Sequence, residues 1–289
     1  MAAIAATPRL QALVWIAPGH EVAALSREPA QCPASPLSAE ASAGMALFNA
    51  PQILGGQAAR ARISCATCHA NGRVNRHFRL EGVSGATGTA DVSSSFFSLA
   101  RANGRFDPKP IPDLAQPGKI SRDPASGALE RFLRGLIVEE FDGREPSPAV
   151  LHALADYVRS VRACLGEGET ARTIEEPLRL VRASVSAAAD LAGRGETEAA
   201  ADLVGAARYQ LGLIDERFAG PGLRQERASL VAESRALQPQ ADAHKPDPAQ
   251  LRRWLAHFDA FIVPRLRARA AWTLYDRDRL AAAFAGRGQ

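Results

Sequence analysis

Lysine, aromatic residues and long apolar runs are scarce in this sequence. Of its 35 basic residues only Lys109, Lys119 and Lys245 are lysines, and aromatic residues make up 6% of the 289 positions. Such a composition, rich in alanine, arginine and leucine, favours helices over sheets. No apolar run approaches the roughly 20 residues that span a bilayer, so we expect no membrane-spanning helix.

A strong net charge is absent as well. The net charge is only +4, and the arginines alternate with aspartate and glutamate along the faces of the expected helices. Alternating charges are typical of solvated helix surfaces. The sequence therefore predicts no nucleic-acid interface.

The sequence also lacks a recognisable secretory leader. Residues 1–17 have no basic segment at their start, and their apolar run over residues 10–16 is short and indicates a strand. A turn containing Pro18 and Gly19 follows, and residues 21–25 are expected to return as a second strand. We therefore predict a small N-terminal β-hairpin extension over residues 1–35.

Cysteine is rare, yet two of the four cysteines lie in one short motif, Cys65-Ala66-Thr67-Cys68-His69. In a Cys-x-x-Cys-His sequence, two thiols on one helical turn form thioether bonds with the two vinyl groups of a haem, and the histidine that follows is directed under the iron. We therefore predict one covalent haem c, held by Cys65 and Cys68, with His69 as the proximal iron ligand.

Two other kinds of site use paired cysteines. A thioredoxin-like redox pair needs a βαβ context, which this sequence does not show. A zinc site needs a second pair of ligands, and no other cysteine or histidine is suitably spaced. Because haem c is attached in an oxidising compartment, we expect a periplasmic protein whose leader lies outside the sequence given.

Cys32 and Cys164 remain once the haem has taken its pair. Spare thiols in an oxidising compartment usually pair, so we predict a Cys32–Cys164 disulfide; two free buried thiols are the alternative.

The sequence divides into a haem domain and a helical domain. Within the haem domain, residues 36–167, helices are expected over 38–48 and 127–138, and a Ser-Pro pair at 147–148 begins another. Residues 71–128 are expected to form mostly ordered loop, which suits a segment that wraps a cofactor.

Everything after a glycine-rich boundary at 165–169 is expected to be helical. The pattern predicts an antiparallel helical bundle over residues 168–289, and the expected fold class is mainly α. Pro264 is expected to kink or split the last helix. The expected helices span residues 171–193, 196–218, 223–237 and 248–284.

The helices on either side of the motif resemble those of the cytochrome c family. Gly44-Met-Ala-Leu-Phe48 resembles the first helix of these domains, and residues 150–161 resemble their closing helix. The resemblance implies a cytochrome c-like haem domain in which the two helices cross, with Gly44 and Tyr157 as the small residue and the aromatic residue that meet.

A narrower resemblance is carried by Cys68–Arg73, by Ser98-Leu99 and by Phe141-Asp-Gly143. Together these segments look like the C-terminal haem domain of bacterial dihaem cytochrome c peroxidases and their methylamine-utilisation (MauG-like) relatives. The sequence departs from that pattern because it has no second Cys-x-x-Cys-His motif, so we expect a monohaem protein.

The sixth iron ligand is not fixed by the sequence. Electron-transfer cytochromes c supply a methionine after the motif, whereas Met1 and Met45 both precede it. His77 is a tentative sixth ligand. A lysine such as Lys109 or Lys119, a tyrosine, or no protein ligand at all are the alternatives.

Arginines surround the motif, and we expect Arg73 and Arg76 to contact the haem propionates through charge-assisted hydrogen bonds. Three functions fit these features. The first is a periplasmic monohaem electron-transfer protein with a redox partner protein. The second is a peroxidase-like oxidoreductase with an open iron site, and the third is a haem-based sensing or binding module.

Overall fold

Helices dominate the computed structural model of the chain, which describes residues 9–32, 36–164, 168–243 and 245–285. The prediction of a mainly α fold is confirmed. Residues 33–35 at the end of the predicted N-terminal extension, the boundary residues 165–167 and Met1 lie outside the described ranges. None of the described helices is long and apolar enough to cross a membrane.

The region before the predicted boundary contains short helices, three very short strands and two longer helices that cross. Its elements are α1 (Glu21–Ser26), β1 (Arg27–Pro29), α2 (Ala39–Phe48), α3 (Gly56–Arg60), α4 (Cys65–Cys68), β2 (Thr89–Ala90), β3 (Lys109–Pro110), α5 (Ala128–Gly135) and α6 (Pro148–Ser160).

The region after the boundary consists of packed helices preceded by one strand. Helix α7 packs against the helices α8 and α10, and α8 also packs against α9. The elements are β4 (Glu169–Ala171), α7 (Glu175–Gly193), α8 (Thr197–Arg217), α9 (Arg224–Asp242), α10 (Pro248–His257), α11 (Val263–Arg269) and α12 (Arg277–Phe284).

The predicted N-terminal β-hairpin is wrong. Residues Gln11–Trp15 form a 3₁₀ helix, and the alanine-rich segment that was expected to return as a strand forms α1. Alanine favours helix strongly, and this preference outweighs the short apolar run and the turn that indicated a hairpin. The strand that does form, β1, pairs antiparallel with β4, with Arg27 opposite Ala171.

Two predicted helix starts are confirmed by their capping hydrogen bonds. The Ala41 backbone N–H donates to Ser38 Oγ at 3.0 Å where α2 begins. Ser147 caps α6 in the same way, and Pro148 occupies the first helical position, where its missing N–H leaves no bond unmade.

Helices α2 and α6 cross at a point where backbone meets backbone. A Cβ atom on Gly44 would lie 1.8 Å from the carbonyl oxygen of Ala153, so no larger residue fits there. The aromatic residue on α6, Tyr157, packs edge-on against Phe48 at 5.1 Å between ring centroids. The predicted crossing is present, although Gly44 meets the α6 backbone rather than the Tyr157 ring.

Substituting Gly44→Ala is expected to lower the free energy of unfolding by about 3 kcal/mol or more, because the helices must separate to admit the methyl group. Gly212→Ala is the control, since nothing lies within 4 Å of the Cβ that it would add in the middle of α8. That change is expected to raise stability by about 0.5–1 kcal/mol. Denaturant unfolding of both variants measures the difference, and equal stabilities would contradict the crossing.

The haem-motif region and the helical domain share one hydrophobic core. Helix α2 packs against α7 as well as against α6. Met45 and Leu47 on α2 belong to the same buried cluster as Leu178 and Val181 on α7. The helical domain is therefore covered by α2 along one face.

The predicted Cys32–Cys164 disulfide is present, with 5.2 Å between its Cα atoms. The backbone beside it is also tied, because the Arg162 N–H donates to the Cys32 carbonyl at 3.1 Å. The bridge fastens the N-terminal segment to the chain just after α6.

Pro264 interrupts the last long helix, as predicted. Helix α10 ends at His257, a single wider π-helical turn spans Phe258–Ile262, and α11 begins immediately before the proline. Because proline has no N–H and its ring clashes with the preceding turn, the backbone widens there.

Candidate haem-attachment site

The two cysteines of the motif lie on a single helical turn, α4. The turn is closed at its start by the Ser64 N–H, which donates to Thr67 Oγ1 at 3.0 Å, and at its end by the His69 N–H, which donates to the Cys65 carbonyl at 2.8 Å. Cys65 and Cys68 are both unpaired and partly exposed. Neither thiol is therefore taken up by a bond within the chain.

The imidazole of His69 is held by a backbone carbonyl. Its Nδ1 lies 3.1 Å from the oxygen of Pro112. Since a carbonyl oxygen only accepts hydrogen bonds, Nδ1 carries the proton, and the lone pair of the ring is on Nε2. Burial lowers the pKa of His69 to about 4, so the ring is neutral at neutral pH. A neutral, oriented imidazole with a free Nε2 is the form that ligates iron.

An ion pair fixes the loop that carries Pro112. Arg73 Nε donates to both carboxylate oxygens of Asp113 at 2.8 Å, and the Leu114 N–H donates to the Gly72 carbonyl at 3.1 Å. These bonds join the loop to the residues directly after the motif. The Pro112 carbonyl is thereby held beside His69.

The chain turns sharply after the motif and passes close to α6. Asn71 and Gly72 have φ values of 52° and 75°. A Cβ atom on Gly72 would lie 2.6 Å from a methyl group of Val161, so only glycine allows this close approach.

The thiols of the motif do not fit the two other kinds of cysteine site. Desolvation by the surrounding protein raises the pKa of Cys65 and of Cys68 to about 12, whereas a redox-active pair needs a thiol with a lowered pKa. Over the described part of the chain, no three histidine, cysteine, aspartate or glutamate side chains come together in a group that could hold a metal ion.

Met45 is turned away from the motif. It is fully buried, and its sulfur accepts hydrogen bonds from Gln31 Nε2 at 2.9 Å and from Arg179 at 3.3 Å. These partners lie toward α7, on the side where α2 joins the helical domain. Met45 is therefore a core residue and not an iron ligand.

His77, the tentative sixth ligand, has neighbours different from those of His69. Its Nδ1 lies 3.2 Å from Nδ1 of His20, and its Nε2 lies 3.9 Å from Glu169. His69 instead contacts Pro112 and faces Phe48, with 6.5 Å between ring centroids. The contacts of His77 tie the N-terminal segment to the haem-motif region, and ligation by His77 stays a prediction.

The two arginines assigned to the haem propionates differ in their surroundings. Arg73 is already paired with Asp113, as described above, and therefore acts on the loop of Pro112 in this structure. Arg76 is exposed and lines a surface cavity with His77. A propionate contact stays a prediction for both, and Arg76 is the residue whose guanidinium lies at the surface.

Pro112 and Asp113 were not among the residues expected in the site. The signal in the sequence is the proline-rich run over residues 106–112, in which proline fixes φ at three positions. Which carbonyl of such a run meets His69 depends on the tertiary path of a long loop, and no local pattern specifies that path.

Comparison of the chain with protein-family models, with curated proteins and with solved structures gave no match. The resemblance to cytochromes c therefore rests on the motif and on the residues around it.

Proposed function

We propose that the chain is a monohaem c-type cytochrome that binds one haem covalently through Cys65 and Cys68 and transfers electrons in the periplasm. The observation that carries this proposal is the hydrogen bond from His69 Nδ1 to the Pro112 carbonyl. Histidines that ligate metals donate their second ring N–H to a carbonyl or carboxylate in this way. His69 has that arrangement directly after two free thiols on one turn.

The residues of the site fit a covalently held haem. Cys65 and Cys68 would hold its edge, and His69 Nε2 would ligate its iron; the bound group would supply a one-electron iron couple. The Pro112 carbonyl fixes the tautomer and orientation of His69 and increases the basicity of the ring. The Arg73–Asp113 ion pair keeps that carbonyl in place.

The periplasmic location is supported by the Cys32–Cys164 disulfide. Structural disulfides persist in oxidising compartments, where haem c is also attached. The presence of Cys65 and Cys68 as free thiols beside a formed disulfide is consistent with their use for another bond.

A denaturing gel stained for haem peroxidase activity tests the proposal. The protein is produced with a cytochrome c maturation system in a bacterial periplasm. A haem-stained band at the protein's mass is expected, because thioether bonds survive denaturation. Haem that is extracted by acidic acetone would show non-covalent binding and would contradict the proposal.

A second candidate function is a peroxidase-like or gas-binding haem protein with an open iron site. One observation favours it: three of the side chains considered as sixth ligands have other partners. Met45 bonds Gln31 and Arg179, His77 contacts His20, and Lys109 pairs with Asp107 at 2.6 Å. A redox partner protein is expected for electron transfer and for peroxidase chemistry alike.

Absorption spectra of the ferric and ferrous protein separate these functions. Met45→Leu is not expected to change the ferric spectrum, and the weak near-infrared band of iron–methionine ligation is expected to be absent. Ready binding of carbon monoxide would indicate an open site. A spectrum that His77→Ala converts from low spin to high spin would instead establish His77 as the sixth ligand.

A further inference from the structure

The outer face of α10 and α11 exposes two large aromatic side chains to solvent. Helix α10 continues through the π-helical turn Phe258–Ile262 into α11, and a 3₁₀ turn, Ala270–Trp272, follows directly. Phe261 is 62% exposed, and Trp272 is 51% exposed. Large apolar side chains exposed together on one face indicate a surface that contacts a partner.

Phe261 and Trp272 lie on the same side of this helix. About three helical turns separate them, which places the two residues about 16 Å apart along the helix axis. The His257 ring, one turn before Phe261, lies 5.3 Å from the Phe261 ring between centroids. Ala268 is exposed between the two aromatic residues. Because its side chain is short, both aromatic rings can reach one flat surface.

Two arginines on the same face have no ion pair with the described chain. Arg253 lies one turn before His257, Arg265 lies one turn after Phe261, and both are exposed. Asp247 attracts Arg253 only from a longer distance, and its carboxylate already accepts the backbone N–H groups that begin α10.

The other charged side chains beside this face are compensated by the neighbouring helices α7 and α9. The charge that remains without a partner on the outer face is therefore positive. The compensated contacts are Arg252 with Asp190, Asp259 with Arg182 and Arg267 with Glu175 on the α7 side, and His257 with Glu233 and Arg269 with Glu226 on the α9 side.

We propose that the outer face of α10 and α11 binds the surface of a membrane that contains anionic phospholipids. Arg253 and Arg265 bind the lipid phosphates, and Phe261 and Trp272 enter the boundary between the headgroups and the acyl chains. Aromatic and arginine side chains together are typical of that boundary.

A lipid surface fits this face better than an acidic protein segment does. The outer face of one helix is convex, and a flat, fluid surface can contact all four side chains at once. A protein segment would need a groove of matching curvature. None of the four residues belongs to the haem-attachment site, so the proposal is independent of haem binding.

Co-sedimentation of the full chain with lipid vesicles tests this proposal. One set of vesicles contains equal parts of phosphatidylglycerol and phosphatidylcholine, and the other contains phosphatidylcholine alone. Binding to the anionic vesicles is expected to be about tenfold tighter, and to weaken in about 1 M salt, where the Debye length is about 3 Å. Equal binding to both vesicles would overturn the proposal. So would failure to pellet with either, which would leave an acidic protein as the partner of this face.

The variant Phe261→Ser/Trp272→Ser locates the binding. Because both side chains are exposed, the variant is expected to fold as the wild type does, while its affinity for the anionic vesicles falls about tenfold. Leu99→Ser/Phe132→Ser is the matched control, because these apolar side chains are 80% and 58% exposed in the haem-motif region. An equal loss of affinity in both variants, or no loss in the first, would contradict the proposal.

The variant Arg253→Gln/Arg265→Gln tests the electrostatic part of the binding. Its affinity for the anionic vesicles is also expected to fall about tenfold. Arg60→Gln/Arg105→Gln removes the same charge from exposed positions outside this face and is expected to keep most of the affinity. An equal fall in both variants would show that the net charge of the chain attracts the vesicles, and would overturn the assignment of this face.

Discussion

Replacing both cysteines of the motif, in the variant Cys65→Ser/Cys68→Ser, is expected to remove the haem from the purified protein. Serine is nearly isosteric with cysteine but forms no thioether bond, so only His69 would remain to hold the group. Haem content per chain, measured from the absorbance of the reduced pyridine complex, is expected to fall from one to near zero. Full retention of a haem that resists extraction would contradict attachment at these two residues.

Replacing the other cysteine pair with serine is expected to lower the stability of the protein and to leave its haem content unchanged. Cys32→Ser/Cys164→Ser opens a bridge between residues separated by 132 positions. In the loop-entropy description such a bridge contributes about 4–5 kcal/mol to stability. The free energy of unfolding by urea is expected to fall by about that amount, while the haem content of the folded protein stays at one.

These two double variants control for each other, because each changes two cysteines to serine. The assignment would be wrong if Cys32→Ser/Cys164→Ser lost its haem while Cys65→Ser/Cys68→Ser kept a normal haem content. Haem attachment would then belong to Cys32 and Cys164. A stability unchanged by Cys32→Ser/Cys164→Ser would show that the bridge does not constrain the unfolded chain.

The helices that could be predicted from the sequence are those with local start and stop signals. Ser38 and Ser147 cap α2 and α6, and the glycines around residue 194 end α7. Periodic apolar residues and short loops specify α7 to α10 in the same way. In each case the signal lies within a few residues of the element that it specifies.

The N-terminal region could not be predicted because its structure depends on distant partners. Its strand β1 pairs with β4 near residue 170, and the Ile16 backbone bridges to Phe78. A short apolar run such as residues 10–16 fits a strand or a helix, and the packing around it decides. The turn at Gly19, where φ is 82°, was the one feature that local sequence specified.

In the candidate site, too, some residues could be predicted from local sequence and others could not. The motif alone specifies Cys65, Cys68 and His69, because thioether attachment and iron ligation need those residue types at that spacing. The carbonyl of Pro112 and the ion pair of Asp113 come from a loop more than forty positions away.

Mass spectrometry of the tryptic peptide Ile63–Arg73 tests covalent haem attachment most directly. Cleavage after Arg62 and Arg73 releases one peptide that contains Cys65, Cys68 and His69. We predict that this peptide, from protein matured in the periplasm, is heavier than its sequence by the mass of one haem and absorbs light in the Soret region. A peptide of unmodified mass, or one in which Cys65 and Cys68 are joined by a disulfide, would contradict haem attachment at this motif.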